Sequence, residues 1–235
     1  MENYILTVGG ISSLDYGIYV LDSNDEDSTT RDYESVQVDG RSGDLHFDNG
    51  RWANVDRTYK CVCMENARQN IPAFVAAIMS SPGYKRLEDT LHYDYYKIGV
   101  LKGEVVPKFS RMKDAARFDI TFDCKPQKYL KIGERQITLS GTNTIMNPTY
   151  FDSSPALEIT GNGQIGIGGE TITIAGSTET IILDLELGDC YSKASHANKN
   201  SCVTWTDKPV LKSGINNITV ASGLTVLMTP RWWHL

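Results

Sequence analysis

Histidine and cysteine are sparse in this chain, and neither is arranged for chemistry. The four histidines, His46, His92, His196 and His234, lie far apart, and none has a second His or Cys at ligand spacing. Five cysteines make an odd set with no paired framework. Cys61 and Cys63 stand two apart on a predicted strand and so share a face, but no second pair follows at zinc spacing. Buried free thiols made in a reducing compartment are the expectation. No G-x-S-x-G elbow or phosphate-binding loop occurs. Gly161-Asn162-Gly163-Gln164-Ile165-Gly166 spells G-x-G-x-x-G but opens a strand instead of a helix, which removes the phosphate-cradling geometry. No pair of carboxylates is singled out for glycoside hydrolysis. The expectation is a protein with no catalytic residues, no cofactor and no metal.

Long apolar runs are also missing. No segment approaches 18 consecutive apolar residues, and the opening MENYILTVGG has neither a basic n-region nor an apolar core. Synthesis in the cytoplasm without membrane insertion is expected. Excess positive charge is absent too: 23 Lys and Arg face 29 Asp and Glu, a net charge of −6. A partner held by phosphate neutralisation requires clustered cations, so specific nucleic-acid binding is not expected. Low-complexity tracts and internal repeats are lacking, and 235 residues suffice for two domains.

What is present is mostly alternation with period two. Phe118-Asp119-Ile120-Thr121-Phe122-Asp123-Cys124 alternates strictly, as a strand does with one face on a core and one in water. Tyr16–Leu21, Glu34–Val38 and Thr58–Met64 are further predicted strands, and Asn49-Gly50 reads as a hairpin turn. One helix is predicted over Asn70–Ser80, with Ile71, Phe74, Val75, Ile78 and Met79 on one stripe, Asn70 as cap and Pro72 in the first turn. After Glu134 basic residues thin out while Gly, Thr, Ile and Asn rise, which places a boundary between residues 1–134 and 135–235. In the second part Gly168-Gly169 joins two short strands, Thr180–Leu187 alternates, and Ile215–Val220 and Leu224–Met228 add two more. Short strands punctuated every 8–12 residues indicate a β-sandwich or barrel.

A few polar and aromatic groups stand out. Asp22-Ser23-Asn24-Asp25-Glu26-Asp27 lacks the glycine and terminal glutamate of a calcium loop and reads as a solvated loop tip. Lys85-Arg86-Leu87-Glu88-Asp89 followed by Tyr93 has the Arg and Tyr enrichment of a docking surface, which makes Arg86, Asp89 and Tyr93 the subunit-interface candidates. Trp205, on a strand of the second part, is either a core residue or a platform for a sugar ring. Trp232 and Trp233 adjoin, so on a strand they point to opposite faces, one into a core and the other toward the domain junction.

The stretch SPGYKRLEDTLHYDYYKIGVLKGEVVPKFSRMKDAARFDITFDCKPQKYLKIGE, residues 81–134, resembles the distal tail protein family of long-tailed, non-contractile (siphovirus) bacteriophages. VDGRSGDLHFDNGRWANVDRTY, NPTYF and the closing PRWWHL fit the same family. The resemblance implies a mainly β fold: an α+β N-terminal ring-forming domain, a β-barrel or sandwich with one helix, followed by a galectin-like β-sandwich, the final strand returning to the first domain. It implies a structural baseplate hub at the phage tail tip, a homo-hexamer that joins the tail tube protein to the tail-associated fibre or lysin protein and to receptor-binding proteins. No catalytic residue is carried over by the resemblance. The alternative from another class is a carbohydrate-binding adhesin acting through the C-terminal sandwich, with Trp205 as platform; fold likeness to galectins does not itself imply sugar binding.

Overall fold

Period-two sequences form strands, and strands bury one face only by pairing and stacking, so this chain becomes layered β-structure. The computed structural model describes residues 4–26, 28–111 and 113–235. It divides into two compact units, residues 1–128 with Leu235, and Tyr129–His234. The division falls upstream of the change in composition.

In the first unit the strands are β1 (Leu6–Val8), β2 (Ile11–Ser12), β3 (Ile18–Ser23), β4 (Arg31–Val36), β5 (Leu45–Trp52), β6 (Val55–Cys63), β7 (Lys85–Asp89), β8 (Tyr95–Lys102), β9 (Lys108–Phe109) and β10 (Ala116–Cys124), with one helix, α1 (Ala67–Met79). The main sheet runs β2-β1-β7-β8-β10-β6-β3, antiparallel throughout, with β9 against β10. The alternation over 118–124 does as it implies: Phe118, Ile120, Phe122 and Cys124 are buried while Asp119 is exposed. The Phe122 ring meets Tyr59 edge to face at 6.1 Å. On β8 the inward positions are Tyr95, Lys97 and Gly99. Gly99 is required there, because a Cβ would lie 2.6 Å from Cys124 Sγ and 2.9 Å from Leu87 Cδ1.

Three local expectations are corrected. Helix α1 starts at Ala67, so Asn70 is not its cap and Pro72 lies inside it. The start is capped from a distance: Asp114 accepts from the Ala67 N–H through its carbonyl and from the Arg68 N–H through Oδ1, both at 3.2 Å. The core stripe is Ala67, Ile71, Phe74 and Ile78, and Met79 is exposed. The strand expected from Tyr16 begins instead at Ile18, because Ser13–Tyr16 forms a 3-10 turn closed by Gly17. Asn49-Gly50 is not a hairpin turn. Strand β5 runs through it, and the register with β4 jumps between Asp32↔Arg51 and Tyr33↔Asp48, leaving the pair as a bulge held by the Gly50 N–H on Asp48 Oδ1 at 2.8 Å.

Further along the chain follow β11 (Lys128–Leu130), β12 (Ile137–Leu139), β13 (Gly141–Asn147), β14 (Ala156–Thr160), β15 (Gly163–Ile167), β16 (Glu170–Ile174), β17 (Ile181–Asp184), β18 (Asp189–Ser192), β19 (Val203–Trp205), β20 (Gly214–Val220), β21 (Thr225–Thr229) and β22 (Trp233–His234). Two five-stranded antiparallel sheets, β12-β21-β14-β17-β18 and β13-β20-β15-β16-β19, form a sandwich. Its core is aliphatic: Leu157, Ile159, Ile165, Ile167, Ile172, Ile181, Leu183 and Val226 are buried in one cluster. Gly168-Gly169 is the turn of the β15–β16 hairpin, both residues at positive φ. Strand β17 ends at Asp184, earlier than alternation to Leu187 implies, because the Asp184 carboxylate takes the Glu186 and Leu187 N–H groups and turns the chain; Leu187 is exposed.

The chain's end returns beside residues 130–133, through Leu130 N–H to Trp232 O at 2.8 Å and Arg231 N–H to Gly133 O at 2.9 Å. A side chain at Gly133 would collide with the Trp232 backbone. Trp232 is buried in the sandwich core, and Trp233 stacks on Phe151 at 4.6 Å while its indole N–H donates to Asp152 O. Phe122→Ala is expected to cost about 3–5 kcal/mol in urea unfolding, against about 0.5 kcal/mol for Asp119→Ala. Equal losses at the two positions would contradict the one-sided packing of β10.

Candidate functional site

A lysine on the inward face of a strand demands an anion, and this one finds two. Lys97 is 2% exposed, and its Nζ lies 2.7 Å from Asp25 Oδ1 and 3.3 Å from Asp89 Oδ2. Both carboxylates are buried. Tyr95 donates to Asp25, Tyr59 donates to Asp89 Oδ2 at 3.3 Å, and His92 Nδ1 sits 3.0 Å from Asp89 Oδ1 and 3.4 Å from Asp25 Oδ2. Arg57 brings Nε to 3.5 Å from Asp25 Oδ1 and donates from Nη1 to Asn24 O at 2.9 Å, while Lys128 donates to Asp25 O at 2.8 Å.

Burial works to raise the Asp25 carboxyl pKa, but Lys97, by charge and hydrogen bond, then Tyr95 and Lys128, hold it below the ordinary value. Burial, and next the charges of Asp89 and Asp25, push Tyr59 well above the phenol range. Asp25, Asp89 and His92 converge closely enough to ligate a cation. On their other oxygens the two carboxylates share the Lys97 ammonium, which makes the cluster an internal ion pair.

The cluster fixes the root of an arm. From Asn24 the chain leaves the main sheet for the β4–β5 hairpin, a separate two-stranded sheet. Asn24 accepts from the Thr58 N–H at 2.7 Å and donates to Asp56 O at 3.1 Å. Thr29 Oγ1 donates to Ala53 O at 2.6 Å, and the Ala53 N–H donates to Thr30 O at 2.9 Å, tying both legs together. Beyond the root the hairpin is exposed on both faces. Arg31 pairs with Asp48 at 2.7 Å and Arg51 with Asp32, while Val36, Leu45 and Phe47 share one face and Phe47 is 55% exposed. A two-stranded hairpin with no covered face is marginally stable by itself.

The residues singled out from the sequence do not come together as one surface. Arg86 is half-buried, pairs with Glu88 at 2.6 Å and lies 3.7 Å over the Tyr96 ring. Asp89 is withdrawn into the ion cluster, and Tyr93 is 79% exposed. Trp205 sits on edge strand β19 opposite Ile172, packed against the sandwich core. The acidic run is not wholly solvated, since Asp25 is buried; Asp27 lies outside the described residues. Inward Lys97 on the alternating β8 sequence was the available signal for a buried anion, but nothing local names Asp25 as its partner. The five cysteines are free, and burial pushes Cys61 and Cys124 up to about 12, which suits core thiols.

No protein-family profile matches the chain, and no curated protein matches it. Solved structures do. The Dit protein of phage SPP1, described as a paradigm of the hub adsorption apparatus in phages infecting Gram-positive hosts, superposes with a TM-score of 0.72 at 9% identity, over 100% of both chains. The fold is that of a phage distal tail protein. Chains of the phage P2 baseplate in its activated conformation match this Dit-like fold at 12% identity, with TM-scores of 0.56 with Ca and 0.55 with Sr, over 96% of this chain and 97% of each of those.

Removing one member of the buried cluster leaves its partners charged and unpaired. Asp25→Ala is expected to lower stability by about 3–5 kcal/mol, and Lys97→Ala by a similar amount. A loss under about 1 kcal/mol at both would show that the cluster does not hold the arm's root. A second expectation concerns pH. Burial would raise the Asp184 carboxyl, but a two-pronged pair with Arg231, both contacts 2.7 Å, keeps it below its ordinary value. A carboxylate lowered by folding stabilises above its unfolded pKa, near pH 4, and loses that contribution as pH falls through its folded value. Thermal stability should therefore decline below about pH 4, and Asp184→Asn should flatten that decline.

Proposed function

We propose that this chain is a structural hub of a phage tail tip, six copies closing into a ring that joins the tail tube to the tail-tip fibre or lysin and to receptor-binding proteins. The observation that carries the reading is the β4–β5 arm: rooted by a buried ion cluster, it extends an apolar strip of exposed Val36 and Phe47 beside half-buried Leu45. The Dit-like fold, whose solved examples are hub and baseplate proteins, supports the same reading. An arm that docks on a different face of the next copy is a head-to-tail contact, and such contacts close when the rotation per copy divides the circle, about 60° for six. Exposed Tyr93 and half-buried Arg86 belong to the same unit and join the contact. The two compact units act as separate domains, the first forming the ring and the second a galectin-like sandwich that anchors receptor-binding proteins. The hub works in the virion by holding its neighbours, without catalysis and without metal.

Light scattering at tens of micromolar protein should give about six times 26.1 kDa. Val36→Asp with Phe47→Asp should lower that mass while leaving the circular dichroism spectrum unchanged. A wild type that stays monomeric alone and when mixed with its tail-tube neighbour would defeat the hub reading.

A further inference from the structure

The second unit carries an open hollow of about 330 Å³ that the hub reading does not use, lined by Asp189, Cys190, Tyr191, His196 and Asn198. It is built by a tight reversal after β18. Ser192 N–H donates to Ala197 O at 2.8 Å, His196 N–H donates to Ser192 O at 3.0 Å, and Tyr191 bridges Asn198. This closure holds His196 at φ 56°, an uncommon conformation for a residue other than glycine, and sets its ring 5.9 Å from the Tyr191 ring, tilted by 32°. Asn200 braces two of the lining groups, donating from Nδ2 to Asp189 Oδ1 at 3.2 Å and from its N–H to Asn198 Oδ1 at 3.0 Å.

The bracing uses one atom of each group and leaves the other free. Among the described residues, Asp189 Oδ2, Asn198 Nδ2, the Tyr191 hydroxyl and the His196 ring nitrogens have no hydrogen-bond partner. The hollow therefore offers an anionic acceptor, an amide donor, a hydroxyl that does either, an imidazole with one donor and one acceptor when neutral, and two ring faces. Its charge narrows the ligand. The nearby cations are committed elsewhere, Lys193 to Glu158 at 2.6 Å and Lys199 to Glu179 at 2.7 Å, and none lines the hollow. A phosphate or uronate would meet Asp189 with nothing to neutralise it. A neutral ring with adjacent hydroxyls suits both the mixed donors and acceptors and the apolar ring faces.

We infer that this hollow is a binding site for one neutral pyranose unit of a surface glycan, independent of Trp205 and of ring formation. Isothermal titration of the full chain with glucose, galactose, rhamnose and N-acetylglucosamine should find binding to at least one, with Kd on the order of 1 mM. Tyr191→Ala and Asp189→Asn should each weaken it at least about tenfold, a change of roughly 1.4 kcal/mol. Asn198→Ala, at an exposed loop position that no core contact depends on, should weaken it severalfold, while Trp205→Ala leaves it unchanged. Light scattering of each variant should match the wild type, which separates failure of this site from failure of the ring. Absence of binding to all four sugars, or binding that survives Tyr191→Ala, Asp189→Asn and Asn198→Ala alike, would overturn the assignment.

Discussion

A buried ammonium is stable only if its charge is answered nearby, and in the first unit that requirement organises the chain around Lys97. Strand β8 turns Lys97 inward because its neighbours two positions away, Tyr95 and Gly99, also face the interior. The desolvation cost is offset by Asp89 from the end of β7 and by Asp25 from a loop more than sixty residues away in sequence. Arg57 and Lys128 then hold the Asn24–Asp25 backbone, so the cluster fixes a loop as well as satisfying a charge. An apolar core at this place would bury as much surface but would not dictate where the loop leaves the sheet.

That direction matters because of what the loop leads into. The β4–β5 arm has ion pairs from strand to strand and apolar groups on a largely exposed face, a combination that suits the docking role proposed for it. In the hub proposed above, rigid root and exposed tip would divide the labour, the root setting the angle and the tip supplying the contact. The bulge at Asn49-Gly50 breaks the ladder locally and adds twist to the arm, and pairing continues on both sides of it.

The second unit is built on different terms. Its core is almost wholly aliphatic, and its polar clamps sit at the margins, where Asp184 and Arg231 tie the returning chain end to the turn after β17. With the sandwich core held mainly by burial, its loops carry little of the stabilisation. The reversal after β18 is one such loop, holding two rings and a carboxylate in place with only one of their polar atoms, Asp189 Oδ1, bonded within the described residues.

The mainly β character, the single helix, the inward face of β10 and the Gly168-Gly169 turn were legible in the amino-acid sequence, because each depends on residues within a few positions of one another. The resemblance across residues 81–134 pointed to the fold that the solved phage hub structures share. Other features were decided only by tertiary structure. Helix α1 begins at Ala67 because Asp114, distant in sequence, supplies its cap. Asn49-Gly50 became a bulge because the arm's turn lies further back, over residues 37–44. Asp89 read as a surface charge, and Asp25 as one of a solvated run, until Lys97 drew both inside. Periodicity reports which face of a strand is buried, but the partner of a buried charge is chosen by three-dimensional proximity, and sequence spacing does not encode it.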